Sequence, residues 1–323
     1  MAKQKLKKSV KTTIKVIIIL IFLTIAGIIG YNKYKEYLYH QTYEYKLLEV
    51  GYNKDEVGTI LNNFNDSADL DFFLNQEKSE KYINLLKEKY FLKKNFYKYI
   101  EYMKSNKNME LATVVRNINI HLENDFYKTN YTTDSSLETS MLVNKYYLLD
   151  KTYEPSDLVG FGQDYAWGDT FSKKCSRVAY DAFLQMWQAG RDAGFYFMVN
   201  SAYRSYKEQV SLYDKYKEQK GEKYADSIAA RPGSSEHQTG LSLDIFSKDA
   251  TTREAFKNSS AFQWLKNNAH HYGFILRYPE NLDKVTGYQY EAWHYRYVGV
   301  DIATYIYENN ITFEEYYAYF IEK

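Results

Sequence analysis

The 323-residue sequence predicts an α+β domain with a small, largely antiparallel sheet flanked by helices, carried behind an N-terminal transmembrane helix and a helical stalk region. Three observations predict it. A single long apolar run sits near the N-terminus, and polar sequence of helical periodicity fills the middle of the chain. Beyond about residue 150, helical stripes and short strand-like runs then intermix without the regular spacing of βαβ units.

Lys3, Lys5, Lys7, Lys8, Lys11 and Lys15 precede the run VIIILIFLTIAGIIG, residues 16–30. At about 1.5 Å per residue, a helix from Ile14 to Tyr31 spans roughly 27 Å, close to the ~30 Å of bilayer hydrocarbon. Residues 1–13 therefore read as a basic tail and residues 14–31 as a membrane anchor. After the run, Lys33 and Lys35 are diluted by Glu36, so the positive-inside bias puts the tail in the cytoplasm and the rest of the chain outside. A cleaved signal peptide competes with this reading. No clear small-x-small cleavage pattern follows the run, which favours an uncleaved single-pass anchor.

Residues 32–139 read as a helical stalk or small helical domain. The stretch EKYINLLKEKYFLKKNFYKYIEYMKS puts Ile83, Leu86, Tyr90 and Leu92 near one helical face. His40 and His121 are isolated from other chemical groups and are given no role. The turn-prone YEPSDLVG, residues 153–160, punctuates the boundary to a C-terminal domain taken as residues 140–323.

Within that domain, CSRVAYDAFLQMWQAGRDAG carries Val178, Phe183, Met186 and Trp187 on a helical stripe and ends at a glycine stop. FYFMV, residues 195–199, reads as a buried strand. A helix follows from Ser205, then the turn-rich AARPGSSEHQTG, a strand LSLDIF at residues 241–246, a capped helix from Ser259 and a strand FILRY.

With 42 basic and 41 acidic residues, the chain has no net field that would collect nucleic acid. The single cysteine, Cys175, permits neither an intrachain disulfide nor a Cys-rich metal cluster, so any metal site must use nitrogen and oxygen ligands.

Three polar clusters interrupt sequence that otherwise patterns as core. In SEHQTGLSLD, His237 and Asp244 are seven apart; with Leu241, Leu243 and Ile245 toward the core, Ser242, Asp244 and Phe246 share the other face. In EAWHYRYVG, Glu291 and His294 are three apart, a spacing that requires a turn or bulge if both are to meet. Two imidazoles and a carboxylate supply three ligands for a single tetrahedral Zn²⁺ and leave a fourth position for water, with Glu291 beside them as base. In SAYRSYKEQ, Arg204 offers a positive partner for a developing oxyanion and Gln209 lies one helical turn on. His270 and His271 are adjacent on a helical pattern, aimed about 100° apart, and are expected to be non-ligands.

At these residues the chain closely resembles the VanY-type D-alanyl-D-alanine carboxypeptidases, in the wider group that holds L,D-carboxypeptidases, D-Ala-D-Ala dipeptidases and the Hedgehog fold. The signatures S-x-H-x2-G-x3-D, E-x-W-H-x-R and S-x-Y-R-S-x3-Q stand here at Ser235 to Asp244, Glu291 to Arg296 and Ser201 to Gln209. The resemblance covers roughly residues 140–300. It implies that His237, Asp244 and His294 ligate zinc, that Glu291 is the catalytic base and that Arg204 steadies the scissile carbonyl. It further implies that Gln209, Ser235 and Tyr288 line the substrate pocket. Ser242 stands where the family often carries alanine.

The activity expected from this resemblance is removal of the C-terminal D-Ala from peptidoglycan stem peptides, by a monomeric catalytic domain on the outer face of the cell membrane. The alternatives are an L,D-carboxypeptidase acting on tetrapeptide stems, or a non-catalytic zinc-containing wall-binding protein.

Overall fold

The computed structural model describes residues 2–168 and 173–322. Two compact units divide the chain, Met1–Phe96 and Tyr97–Lys323. In the first unit the apolar run lies within one long helix, α1 (Ala2–His40), whose Val10–His40 stretch is long and apolar enough to cross a membrane and buries nothing. Four short helices follow: α2 (Tyr43–Val50), α3 (Lys54–Asn63), α4 (Ser67–Leu74) and α5 (Glu80–Leu86). Thr42, Asn53 and Asp66 cap the first three by accepting from backbone N–H groups, Asn53 in a reciprocal capping box with Glu56. Their apolar faces meet in a core of Leu47, Ile60, Phe64, Phe73, Leu85 and Phe96, with the Phe64 and Phe96 rings 4.8 Å apart. The continuous helical face expected from Ile83 to Leu92 is broken. α5 stops at Leu86, and Tyr90 and Leu92 lie between helices, half-buried, before α6 (Phe96–Ser105) begins.

In the second unit, α7 (Leu111–Asn119) leads to a two-stranded parallel pairing of β1 (Tyr131–Thr132) with β2 (Tyr147–Leu148). An antiparallel pair joins β3 (Leu158–Gly160) to β4 (Lys174–Ser176). α8 (Arg177–Asp192) then packs Ala179, Phe183, Met186, Trp187 and Gly190 onto the core. Val178, expected on that stripe, is 39% exposed instead, because the buried set recurs at the spacing of Ala179 and Phe183 and leaves its neighbour on the outer face. At Gly190 an added Cβ would stand 2.2 Å from the Phe197 ring, so only glycine lets this helix approach the next strand so closely.

The main sheet has the order β5–β6–β8–β7, antiparallel throughout, from β5 (Phe197–Ser201), β6 (Ser242–Ser247), β7 (Phe274–Leu276) and β8 (His294–Tyr297). The remaining helices are α9 (Tyr206–Lys220), α10 (Glu222–Ile228), α11 (Arg253–Lys257), α12 (Ser260–Asn268), α13 (Asp283–Thr286), α14 (Val300–Asn309) and α15 (Phe313–Tyr316). The expected α+β architecture with a largely antiparallel sheet is therefore the one observed, with parallel pairing at β1–β2 and at an isolated bridge between Ala166 and Val199. Leu243, Ile245 and Tyr295 are fully buried in the main core. The opposite face of β6 is covered as well: Phe246 stacks on Trp293 with ring centroids 6.2 Å apart and packs against Phe256 of α11.

Candidate active site

Three positions fall side by side across the sheet. Asp244 on the central β6 pairs in register with Ser201 on β5 and with His294 on β8. The register of β5 shifts between Val199 and Ser201, an irregularity that ends regular pairing just before the Ser201–Arg204 segment turns toward the site.

His237 comes from the short helical turn Glu236–Thr239 that precedes β6, stopped by Gly240 at φ 70°. A Cβ at Gly240 would lie 3.0 Å from the Ser176 hydroxyl and 3.1 Å from the Pro155 ring, so both backbone conformation and space require glycine. The turn is tied down where Arg204 N–H donates to the His237 carbonyl at 3.1 Å. His237 Nδ1 donates to the Ala202 carbonyl at 2.6 Å, which leaves Nε2 with its lone pair facing Asp244 Oδ1 at 3.6 Å.

The turn that the spacing of Glu291 and His294 required is present. His294 N–H donates to the Glu291 carbonyl at 3.2 Å, and β8 starts at His294 itself. His294 Nδ1 then lies 3.1 Å from Asp244 Oδ1 and 3.7 Å from Glu291 Oε2, while its Nε2 points to Glu236 Oε2 at 3.4 Å. One ligand atom each from His237, Asp244 and His294 lie within 4.8 Å of one another. Ligands of a tetrahedral zinc at about 2 Å are separated by about 3.3 Å, so the 3.1 and 3.6 Å spacings fit such an ion. Each imidazole also has its second nitrogen engaged, as metal-bound histidines usually do.

Electrostatics agree with a cation site. Burial, helped by Arg204, pushes the His237 imidazole down to about 3 and keeps it neutral. Burial would raise the Asp244 carboxyl, but the two imidazoles and Arg204 hold it down at about 2. Burial opposes charge on His294, and the Asp244 and Glu236 carboxylates override it, lifting that imidazole to about 9. Burial pushes the Glu291 carboxyl up to about 7, with His294 pulling the other way.

Arg204 is held rather than free: it donates to Gln209 Oε1 at 2.9 Å and to Ser201 Oγ at 3.0 Å, and Gln209 in turn donates to the Ala230 carbonyl at 2.7 Å. A cavity of about 250 Å³ is lined by all eight residues singled out from the sequence, Arg204, Gln209, Ser235, His237, Asp244, Tyr288, Glu291 and His294. Tyr288 donates its hydroxyl to the Ser234 carbonyl at 3.3 Å. His270 lies away from this group in the turn before β7, stacked on Tyr307 with centroids 3.8 Å apart.

Sequence reasoning missed Glu236, Tyr278 and Arg253, which line the same cavity; the Arg253 guanidinium sits 4.4 Å over the Trp293 ring. Glu236 lies inside the S-x-H motif at its variable position, so its only sequence signal was a charged residue in a segment that must be buried.

The family model for D-alanyl-D-alanine carboxypeptidases of the VanY type matches residues 172–300. A D-alanyl-D-alanine carboxypeptidase of Enterococcus faecium is 31% identical over 240 residues, covering 70% of this chain and 75% of that protein. The putative carboxypeptidase YodJ of Bacillus subtilis (strain 168) is 42% identical over 179 residues, 54% of this chain and 66% of the relative's length. Among solved structures, the LdcB LD-carboxypeptidase is 40% identical with a TM-score of 0.56, covering 61% of this chain and 94% of that one.

Proposed function

The chain belongs to the VanY-type family of D-alanyl-D-alanine carboxypeptidases, and we propose that it is a zinc-dependent D,D-carboxypeptidase of the cell envelope. Its substrates are peptidoglycan stem peptides, from which it removes the C-terminal D-Ala. The convergence of His237, Asp244 and His294 beside the carboxylate of Glu291, inside one cavity, carries this reading.

His237 Nε2, an Asp244 oxygen and His294 Nδ1 would hold the zinc ion. When bound, zinc supplies Lewis acidity that polarises a carbonyl and brings the pKa of a coordinated water toward about 7. Glu291 takes the proton of the attacking water and passes it to the departing amine of D-Ala. Arg204, pre-aimed by Gln209 and Ser201, meets the scissile carbonyl oxygen as negative charge grows on it, without side-chain reorganisation during the reaction. Gln209, Ser235 and Tyr288 line the part of the cavity that receives the substrate. The lysine-rich tail and α1 support a single-pass anchor with a cytoplasmic N-terminus, which puts the catalytic unit on the side where cell wall is found.

A second reading, an L,D-carboxypeptidase acting on tetrapeptide stems, is favoured by the likeness to LdcB, an LD-carboxypeptidase. Both use the same metal chemistry and differ in the residue admitted next to the scissile bond. Incubating the purified chain with pentapeptide and tetrapeptide muropeptides and weighing the products separates them. Loss of one D-Ala from the pentapeptide supports the D,D assignment, and release from the tetrapeptide alone overturns it.

A further inference from the structure

Behind the metal-ligand group lies a layer of charge sealed from solvent. Glu236, Arg277, Arg296 and Glu314 are each 3% exposed or less. Glu236 divides its two oxygens between two tasks. Oε1 accepts from Arg277 Nε at 2.7 Å and from Arg296 Nη1 at 3.1 Å. Oε2 is left for the Ser242 hydroxyl at 3.3 Å and for His294 Nε2 at 3.4 Å. The chain of contacts continues outward: Arg277 donates from Nη1 and Nη2 to Glu314 at 2.9 and 2.5 Å, and Asn144 donates to the same carboxylate at 3.3 Å. Arg296 is anchored separately, to the Met141 and Thr139 carbonyls at 2.8 and 3.2 Å.

Removing four charged groups from water is costly, and apolar residues of similar volume often fill such space as well or better. A carboxylate flanked by two guanidiniums is a pure acceptor, so the ring nitrogen that meets it must carry the proton. When a metal takes the Nδ1 side, where Asp244 lies at 3.1 Å, the proton stays on Nε2 against Glu236 and His294 is held in one tautomer.

We propose that Glu236 is the positioning residue of the metal centre, setting the tautomer and ring angle of His294 for zinc, and that Arg277 extends this control to Glu314 in α15. The proposal rests on the zinc reading above. It makes the C-terminal helix part of the metal site's support, although Glu314 contacts none of the three ligand residues directly. Ser242 adds a donor to the same oxygen.

Zinc dissociation constants, measured by chelator competition on the full-length wild type, Glu236→Gln and Glu314→Gln, test this, together with 15N imidazole spectra of the zinc-loaded wild type. Outer partners of metal-binding histidines usually contribute about 10- to 100-fold in affinity, so Glu236→Gln raises Kd by about that factor and Glu314→Gln raises it less. In the spectra, His294 carries its proton on Nε2 and meets the metal through Nδ1. A folded Glu236→Gln that binds zinc as tightly as the wild type overturns the proposal, and so does the reversed tautomer of His294. The spectra need no variant, so they decide even if Glu236→Gln does not fold. A wild type that takes up no zinc overturns both this proposal and the zinc reading, whereas tight wild-type binding with an unchanged variant overturns the positioning role alone.

Discussion

His294 Nδ1 stands 3.1 Å from Asp244 Oδ1 because the two residues are register partners on adjacent antiparallel strands. Their separation is set by the sheet and not by a loop that metal must gather. Leu243, Ile245 and Tyr295, between and beside them, are fully buried and supply that rigidity. Stripping the metal with a chelator is therefore expected to abolish activity while leaving far-UV circular dichroism unchanged, and added zinc restores turnover. Thermal melts should show the metal-free protein less stable by about 2.7 kcal/mol than protein in zinc at 100 times its Kd. Loss of secondary structure on chelation would contradict a preformed site.

Glu291→Gln keeps the shape of the side chain and removes its ability to take a proton. The expected result is retained zinc with kcat lowered about 10²- to 10⁴-fold, the usual worth of a positioned base. Steady-state release of D-Ala, paired with metal analysis of the same sample, checks it.

Arg204 is fixed by Gln209, so the two are expected to act in series. Arg204→Ala should cost about 10²- to 10³-fold in kcat, as loss of an oxyanion donor does. Gln209→Leu should cost less, and the double variant no more than Arg204→Ala alone, because Gln209 acts through the guanidinium. Additive losses in kcat would show that Gln209 does not act on the reaction through Arg204.

Gly190→Ala raises helix propensity yet drives a methyl into Phe197, a fully buried ring on β5. Overpacking of this kind costs about 1–3 kcal/mol, more than the helix gains, so the variant should unfold at lower denaturant. Urea titration measures it.

Acid sensitivity is expected at Asp226. Burial would raise its carboxyl, but bonds from Arg231 at 2.8 and 2.7 Å and from Tyr213 at 2.7 Å hold it below the usual range. With the folded value depressed, the stabilisation is present above the unfolded carboxylate value of about 3.9 and is lost as pH falls through the folded one. The melting-temperature gap between wild type and Asp226→Asn should thus be widest near neutral pH and narrow only as the pH falls below the unfolded carboxylate value.

His237, Asp244 and His294 were legible because ligand chemistry leaves polar residues at short, fixed spacings where a strand pattern expects core. The turn between Glu291 and His294 was legible too, since a three-residue offset on a straight strand would have split them. Glu236 was not: its partners Arg277, His294 and Arg296 lie 41, 58 and 60 positions away, and no local pattern encodes contacts at such range. Val178 was misassigned because apolar character at a helix start says nothing of which face the sheet occupies. The break after Leu86 escaped for a related reason, the aromatic and lysine-rich sequence beyond it being compatible with helix until Phe96 found its own packing against Phe64 and Phe73.

The most direct measurement is the metal content of the purified chain and of Asp244→Ala, by mass spectrometry calibrated for zinc. One zinc per wild-type chain and none in the variant is the expected result. A wild type without zinc, or an Asp244→Ala protein that holds one zinc and still releases D-Ala, would contradict a centre built from His237, Asp244 and His294.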